Sequence, residues 1–391
     1  MKTTTSLFSF LLVFSLAIPA AADPIGEAIR TIRQVQPTGE GSTAAKAAWK
    51  TLAEASPSEL PRILEAMKDA NPIAANWLAM AADAVFQKKK GSDTFNAKTL
   101  PVDRLETLVL DPSQSGQARV LTYDWLCRID PSCSKRLMPK LLGDPCPNLC
   151  QRAVQFATKQ TEALHKSGAD KAQVIAAYQK TFKGTRDPDQ LRDLAKRLTE
   201  LGQKVDMAAQ LGFVVDWQVV GPFDGSGDDG FKRAHPPERQ KTFTFKETYA
   251  GKPADDDAEK KPRTLHWIKY HTDQPNGHVD LNKVLVKEKG VTAYVATDFL
   301  SDRDRDVELR MSSHNALEIW VNGQSIGKFE FYHAGGQFDL YRLKAKLRKG
   351  KNTILMKVRQ DELVQPWTEG WWYRFRICTP SGAGLTSEDR Q

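Results

Sequence analysis

The chain has 391 residues, enough for two domains of ordinary size that each bury their own hydrophobic core. Its 56 lysines and arginines exceed its 48 aspartates and glutamates, so the formal net charge is +8 at pH 7. That balance favours solubility and weak attraction to anionic polymers, but it names no partner. The lack of a nucleic-acid-binding motif, together with the export signal described next, argues against a nucleic-acid partner.

The first 22 residues have the pattern of a cleavable signal peptide. Lys2 supplies a positive start, Leu7 to Ile18 form an apolar run too short to span a bilayer, and Ala20-Ala21-Ala22 offers a small-residue cleavage site. No later run reaches membrane-spanning length, so we expect no transmembrane segment. The sequence predicts a periplasmic or extracellular protein that begins at Asp23.

Residues 23–211 are predicted to form a helical domain. Four aspartate–proline pairs each combine a capping carboxylate with a residue suited to the first helical turn: Asp111-Pro112, Asp130-Pro131, Asp144-Pro145 and Asp187-Pro188. The helices between them are short, which indicates stacked helical hairpins. Residues 141–145 followed by Arg152-Ala153-Val154 resemble the inter-repeat turn and second helix of HEAT units. Because the intervals are irregular, we expect a degenerate HEAT-like array, which is either a concave face for a protein partner or a plain spacer.

Five cysteines fit an oxidising compartment. Cys127, Cys133, Cys146 and Cys150 lie close together in sequence, and four cysteines allow three pairings. We expect local disulfides, Cys127 with Cys133 and Cys146 with Cys150, while the two pairings between these segments stay open. A four-thiolate zinc site is the alternative, but the paired C-x-x-C arms typical of such sites are missing. Cys378 is expected to be a buried thiol.

Near Gly212 the hydrophobic period changes from helical to alternating, which marks a domain boundary. Residues 307–311 and 317–321 each alternate apolar and polar side chains, as half-buried strands do. Asn322-Gly323 then suits a tight hairpin turn with positive φ. These patterns predict an antiparallel β-sandwich at residues 212–380, followed by a flexible tail at residues 381–391.

The second half of the chain resembles the galactose-binding-like jelly roll. The resemblance rests on Glu318 to Gly323, Leu343 to Leu347, Lys349 to Asn352, Ile354 to Val358, and the upstream Trp217 to Phe223. Uncharacterised secreted bacterial proteins place such a module after HEAT-like helices. The resemblance implies a jelly-roll fold, but it does not imply one activity, because that fold has sugar-binding, adhesive and structural members.

No catalytic or phosphate-binding signature occurs, so we predict no catalytic residues. His333 is the most interesting histidine because it lies in the divergent loop, but no partner ligands stand at metal-site spacing, and we predict no metal site there. The oxygen-rich run from Asp224 to Gly230 has the composition of a calcium loop without the spacing of an EF-hand. We therefore expect no cofactor, with a structural calcium ion left open.

Aromatic side chains in two loops are the stronger functional lead. Sugar rings stack on indoles while their hydroxyl groups bond to carboxylates, amides or guanidinium groups. The candidate ligand-binding residues are Tyr332, His333, Asp339, Arg342, Trp367, Glu369, Trp371 and Trp372. Since neighbours in a strand face opposite ways, we expect one of Trp371 and Trp372 to lie in the core and the other to be more exposed.

Three functions follow as hypotheses. The first is a secreted, non-catalytic binding or adhesion protein whose jelly roll contacts a carbohydrate or envelope polymer and whose helices contact a protein. The second is a structural or assembly protein without a glycan site. The third is a hydrolase of unfamiliar design.

Overall fold

The computed structural model describes residues 23–90, 100–240 and 242–390. The predicted signal peptide at residues 1–22 lies outside these described residues. The described chain divides into two compact units, one up to Ser134 and one from Lys135 onward. The predicted domain boundary between residues 211 and 212 stays a prediction.

Helices dominate the chain up to Leu211, as predicted. The helices there are α1 Pro24–Arg33, α2 Ser42–Ala53, α3 Leu60–Glu65, α4 Pro72–Lys90, α5 Val102–Leu110, α6 Gly116–Ile129, α7 Cys133–Leu137, α8 Pro147–Lys166, α9 Lys171–Gly184, α10 Pro188–Glu200 and α11 Met207–Leu211. None of the helices in the described ranges is both long and apolar enough to cross a membrane. Their HEAT-like arrangement stays a prediction.

One of the four aspartate–proline pairs caps a helix as predicted. Asp187 accepts hydrogen bonds from the backbone N–H groups of Asp189 and Gln190 at the start of α10, at 3.1 and 2.9 Å. Asp111, Asp130 and Asp144 instead accept from the backbone N–H two residues later. The predicted cap is wrong at these three positions, because an aspartate closes such a turn whether or not a helix follows at once.

The chain beyond Gly212 is built mainly of antiparallel strands. They are β1 Asp216–Asp224, β2 Thr248–Ala250, β3 Thr264–His266, β4 Ile268–His271, β5 Val279–Asp280, β6 Val291–Ser301, β7 Arg305–Ser313, β8 Ala316–Val321, β9 Gln324–Phe329, β10 Tyr341–Leu347, β11 Gly350–Gln360 and β12 Trp372–Cys378, with the short helices α12 Pro236–Arg239 and α13 Leu281–Val284. The order is β4-β1-β6-β11-β8-β9 in a six-stranded sheet, β10-β7-β12-β5 in a four-stranded sheet, and β2-β3 in a separate pair.

One hydrophobic cluster contains side chains from both larger sheets. Trp217 of β1 lies edge-on to Tyr373 of β12, with ring centroids 5.2 Å apart. We call the sheet faces that contribute to this cluster the core faces, and the opposite faces the outer faces. The alternating pattern is confirmed where it was used, since Leu317, Ile319 and the other predicted inward residues are buried.

The hairpin between β8 and β9 turns at Asn322-Gly323 as predicted. Both residues have positive φ, +51° and +81°, which the type I′ turn requires. This turn fixes β9 as the last strand of the six-stranded sheet.

The last helices pack against the start of the β region inside the second unit. Phe213 and Val215 belong to the same hydrophobic cluster as residues of α8–α11. The backbone N–H of Ile377 donates to Gly212 O, and the Arg376 guanidinium donates to Leu211 O at 3.0 Å. These contacts hold the end of α11 against the four-stranded sheet within one unit.

The C-terminal residues differ from the predicted flexible tail. Leu385 N–H donates to Ile377 O, Glu388 N–H donates to Leu300 O, and Arg390 forms an ion pair with Asp206. This segment has a small and polar composition, yet its backbone groups pair with strands β6 and β12 and its Arg390 side chain pairs with Asp206.

No disulfide bond joins the cysteines in the structure. The predicted pairing of Cys146 with Cys150 has a geometric obstacle. Cys146 is the N-cap of α8 and Cys150 lies one turn later, and Cβ atoms at that helical spacing are about 5–6 Å apart, whereas a disulfide needs about 3.5–4.5 Å. Cys127 lies near the end of α6 and Cys133 begins α7. Cys378 is buried, as predicted, and burial raises the pKa of its thiol to about 11.

Candidate functional site

The structure separates the predicted ligand-binding residues into three groups. Tyr332, His333, Trp367, Glu369 and Trp372 lie on or beside the loops at residues 330–340 and 361–371. Asp339 and Arg342 line a cavity further along the four-stranded sheet. Trp371 belongs to the hydrophobic cluster between the sheets.

The two neighbouring tryptophans divide as the alternation predicts. Trp371 is fully buried and its indole N–H donates to Val358 O at 3.3 Å, so it cannot contact a ligand. Trp372 lies on the outer face, half-buried between the Arg374 guanidinium at 5.1 Å and the His278 ring at 5.1 Å. Trp372 therefore contributes a packed wall and not a free stacking surface.

His314, at the end of β7, joins the two loops. Its Nδ1 lies 3.1 Å from Ala334 O and its Nε2 lies 3.0 Å from Trp367 O. A neutral imidazole can donate from only one nitrogen, so both contacts are hydrogen bonds only when the ring is protonated. His314 thus ties the Trp367 backbone to the loop that carries His333.

Two further contacts hold the same loops together. His333 Nε2 lies 2.8 Å from a carboxylate oxygen of Asp361. The Tyr332 hydroxyl accepts from Arg359 at 2.6 Å, and burial raises the pKa of that tyrosine. Arg359 also forms an ion pair with Glu362. The loop pair is therefore positioned by charged hydrogen bonds, which are stronger than neutral ones.

Large apolar side chains on these loops are exposed. Trp367 is 66% exposed, Phe331 63%, Leu363 56% and Val364 78%. We call these four side chains the loop-pair surface. Globular proteins rarely leave several large apolar side chains together in water without a partner, so this surface is a candidate contact site.

A polar group stands beside Trp367. The Glu369 carboxylate is about half exposed and pairs with Lys287 at 2.8 Å, and this hydrogen bond lowers the pKa of Glu369. Asn282 of α13 donates to Glu369 O at 2.9 Å. Carboxylate, ammonium and amide groups therefore meet at Glu369, two residues along the chain from the exposed indole.

Asp339 and Arg342 line a cavity of about 260 Å³ in the second unit. The outer face of the four-stranded sheet contributes Arg310, Arg342 and Arg376, and Arg186 approaches from the turn before α10. We call this cavity the arginine pocket. Its other walls include Pro147 and Gln151 at the start of α8, and Pro188 and Gln190 at the start of α10.

Asp339 is the carboxylate at the centre of the pocket arginines. Arg376 donates to both of its oxygens at 2.7 and 2.5 Å, and Arg310 donates at 3.0 Å. Burial alone would raise the pKa of Asp339, but the hydrogen bonds and charges of Arg376 and Arg310 outweigh it and hold the pKa below its ordinary value. Asp339 is 4% exposed and is thus a counter-ion for arginines, not a free ligand for sugar hydroxyls.

Sequence reasoning did not identify His314, Arg310, Arg376 or Arg186. A signal was present for the two strand arginines, because Arg310 and Arg376 stand on the polar side of alternating runs. Their pairing across β7 and β12 is a matter of strand register, which sequence alone does not determine.

The oxygen-rich loop after β1 binds arginines in the structure. Arg233 pairs with the Asp224 carboxylate at 2.6 Å, and Arg359 donates to Gly225 O and Gly227 O. Among the described residues, no group of three or more His, Cys, Asp or Glu side chains is placed to hold a metal ion. Oxygen atoms of Asp224, Gly225 and Gly227 therefore have guanidinium partners.

No protein-family model matches the chain. No curated protein matches it either.

Similar solved structures include three glycosidases. A beta-glucosidase from Kluyveromyces marxianus in complex with glucose is 11% identical over 34% of this chain and 16% of that one, with a TM-score of 0.23. A beta-glucuronidase from an uncultured Clostridium sp. is 15% identical over 43% and 28%, with a TM-score of 0.24. A glycosyl hydrolase family 2 member from Bacteroides cellulosilyticus DSM 14838 is 14% identical over 44% and 21%, with a TM-score of 0.24.

The chain spans between 16% and 28% of the length of these three structures. At TM-scores this low, the similarities carry no argument about the activity or the fold of this chain.

Proposed function

We propose that the protein is an exported, non-catalytic binding protein whose loop-pair surface contacts a carbohydrate, either a glycan or an envelope polymer. In this proposal the two larger sheets form a galactose-binding-like jelly-roll sandwich that presents the loops, and the HEAT-like helices contact a protein partner.

The observation that carries the proposal is the exposed indole of Trp367 on an anchored backbone. Its side chain is 66% exposed, while its carbonyl oxygen faces His314 Nε2 at 3.0 Å. An indole face held in place loses little entropy when a sugar ring stacks on it. Phe331 adds a second exposed ring on the neighbouring loop.

Polar groups on the same two loops supply the hydrogen bonds that such a ligand needs. Glu369 and Glu362 are about half exposed at their side chains. A few polar groups beside an aromatic platform match the usual composition of small-ligand sites.

Binding of the purified protein to a broad glycan array tests the proposal, followed by titration of the best ligand. Trp367→Ala should weaken binding at least tenfold, because one aromatic stacking partner is lost, and should leave the free energy of unfolding within about 0.5 kcal/mol. The matched control is Ile268→Ala, which truncates another exposed apolar side chain, 44% exposed on β4. It should bind as the unchanged protein does.

Two results would contradict the proposal. One is an array on which no glycan binds above background. The other is binding that Trp367→Ala and Ile268→Ala weaken equally, which would place the contact elsewhere.

The aliphatic part of the loop-pair surface favours a second candidate, an assembly protein. Leu363 and Val364 are 56% and 78% exposed and suit a contact with a second copy more than a sugar. Sedimentation velocity separates the two functions. Val364→Glu should dissociate a self-assembled form, and a monomer at all concentrations would dismiss this candidate.

Export is part of the proposal and has its own test. The chain is expressed with its own N-terminus in a bacterium with two membranes, and the mass of the recovered protein is measured. We expect a periplasmic product that begins at Asp23. A full-length product that stays in the cytoplasm would contradict export.

A further inference from the structure

The arginine pocket holds more positive than negative charge. Four guanidinium groups line it, from Arg186, Arg310, Arg342 and Arg376. The carboxylates that pair with them are Asp339 and Glu308. Asp187 also lines the pocket, but its carboxylate accepts from two backbone N–H groups of α10. The buried arginines, Arg310 and Arg376, are matched by these two carboxylates, whereas Arg186 and Arg342 have no carboxylate of their own. The uncompensated charge beside the cavity therefore points to an anion.

Two of the arginines carry the surplus. The hydrogen bonds of Arg186 go to Gly143 O and Ser381 O, and carbonyl groups accept them without neutralising the charge. Arg342 reaches Asp339 only at 3.9 Å, and its side chain is 59% exposed. By contrast, Arg376 is 2% exposed and uses three nitrogens, two on Asp339 and one on Leu211 O. Arg376 and Asp339 form the fixed floor, and Arg342 and Arg186 remain able to bind an anion.

Gly382 lines the pocket and leaves room beside the Arg310 guanidinium. A Cβ atom added to Gly382 would lie 3.1 Å from both terminal nitrogens of Arg310, so a larger residue would crowd that guanidinium. Gly382 also has a φ of +85°, which glycine adopts without strain. The cavity of about 260 Å³ is large enough for a tetrahedral anion with part of an attached group.

The α8 helix adds to the positive potential of the same cavity. Pro147 and Asn148 of its first turn line the pocket. Backbone N–H groups at the start of a 20-residue helix attract negative charge. The helix supports an anion site whose main determinants are the arginines.

We propose that the arginine pocket binds a small oxyanion, a phosphate or sulfate group. Guanidinium groups bind such groups through pairs of parallel hydrogen bonds, which is the geometry that several converging arginines supply. The group is either an inorganic ion or an ester on a larger molecule. This site is separate from the loop-pair surface, and it does not depend on carbohydrate binding there.

Isothermal titration of the full chain with sodium sulfate, and separately with sodium phosphate, tests the proposal at constant ionic strength. We expect saturable binding of one ion per chain, and Arg342→Gln should weaken it about tenfold because a charged hydrogen-bond donor is removed. The matched control is Lys344→Gln, which removes one positive charge from the same face of β10 two residues away and outside the pocket. It should bind as tightly as the unchanged protein.

A second arm with dextran sulfate identifies the source of the group. Competition between dextran sulfate and inorganic sulfate for a site that Arg342→Gln weakens supports an ester ligand. Binding of the inorganic ion with no such competition supports the free ion. Absence of saturable binding to either probe, or equal weakening by Arg342→Gln and Lys344→Gln, overturns the proposal, because it leaves only diffuse attraction to a basic surface.

Discussion

The outer faces of the two larger sheets are covered in opposite ways. On the six-stranded sheet, Val220, Tyr294 and Leu355 pack with Phe223 and Trp267 in a second hydrophobic cluster. On the four-stranded sheet, the corresponding positions include Arg310, Arg342, Arg374 and Arg376, and an irregular loop and the starts of two helices lie over part of this face.

Each face buries ion pairs, but the balance of charge differs. Lys357 of β11 is 1% exposed and is matched by Glu238 at 3.1 Å, with the Tyr294 hydroxyl on the same oxygen. On the other face, Asp339 serves both Arg376 and Arg310, with Arg342 near it. A buried charge that is matched by one partner needs no further ligand. Positive charge that exceeds its partners and lies beside a cavity indicates that a negatively charged ligand binds there.

The largest expected effect comes from removing one carboxylate on each face. Asp339→Ala and Glu238→Ala should each lower the free energy of unfolding by about 3–5 kcal/mol, because each leaves buried cations without their partner. Urea denaturation at pH 7 measures the loss. A cost below about 1 kcal/mol in either variant would show that its ion pair is not buried in solution.

Sulfate then distinguishes the two faces. Added sulfate should restore more of the lost stability in Asp339→Ala than in Glu238→Ala, because only the first variant has a cavity where the anion replaces a carboxylate. Sulfate also stabilises proteins in general, so Glu238→Ala is the control for that effect. Equal recovery in both variants would remove the distinction between the faces.

Lowering the pH is expected to have an intermediate effect on stability. The effect comes from a histidine on the outer face of the six-stranded sheet, which the second hydrophobic cluster covers. Burial, together with the charges of Lys357 and Arg233, lowers the pKa of His235 to about 4. Its ordinary value is about 6.5, so between about pH 6.5 and 4 the unfolded chain binds a proton that the folded chain does not. The unfolded state is therefore favoured as the pH falls through this window.

We expect this group to cost about 2 kcal/mol of stability between pH 7 and pH 4.5, once its partial exposure is considered. Urea denaturation at both pH values should show a smaller loss in His235→Gln than in the unchanged protein. His266→Gln, at an exposed histidine of β3, is the control. Identical pH dependence in all three proteins would exclude His235 as the cause.

The smallest expected effect on stability comes from replacing His314, which lies at the edge of the outer face of the four-stranded sheet. His314→Phe keeps an aromatic ring near Trp372 but removes the contacts to Ala334 O and Trp367 O. We expect a loss of about 1 kcal/mol in stability, as for one partly exposed hydrogen bond, and weaker glycan binding because the Trp367 loop is less ordered. Unchanged affinity for the array ligand would separate the loop anchor from the binding surface.

The fold was predictable where local pattern is strong. Alternation identified Leu317 and Ile319 as buried, and Asn322-Gly323 identified the turn after them. The pattern failed at residues 381–391, because a polar composition does not reveal that backbone groups will pair with Ile377 and Leu300. It also failed at three of the four aspartate–proline pairs, where the same local chemistry serves a turn and a cap equally well.

The candidate site was predicted only in part. Trp367 and Glu369 were grouped as candidate ligand-binding residues because they are close in sequence, and Trp371, which is buried, was grouped with them for the same reason. Asp339 was expected to bind sugar hydroxyls, but in the structure it is enclosed by Arg376 and Arg310. Adjacency in the chain does not report which face of a strand a side chain occupies or what lies opposite.

The sequence by itself determined the order of the secondary-structure elements, with helices first and antiparallel strands after them. Periodicity and turn residues are sufficient for this because they act over a few neighbouring residues. Strand register and the packing of α8 and α10 decided the rest. They alone brought Arg186, Arg310, Arg342 and Arg376 around one cavity, since these residues are far apart in the chain and converge only when the sheet and the helices are assembled.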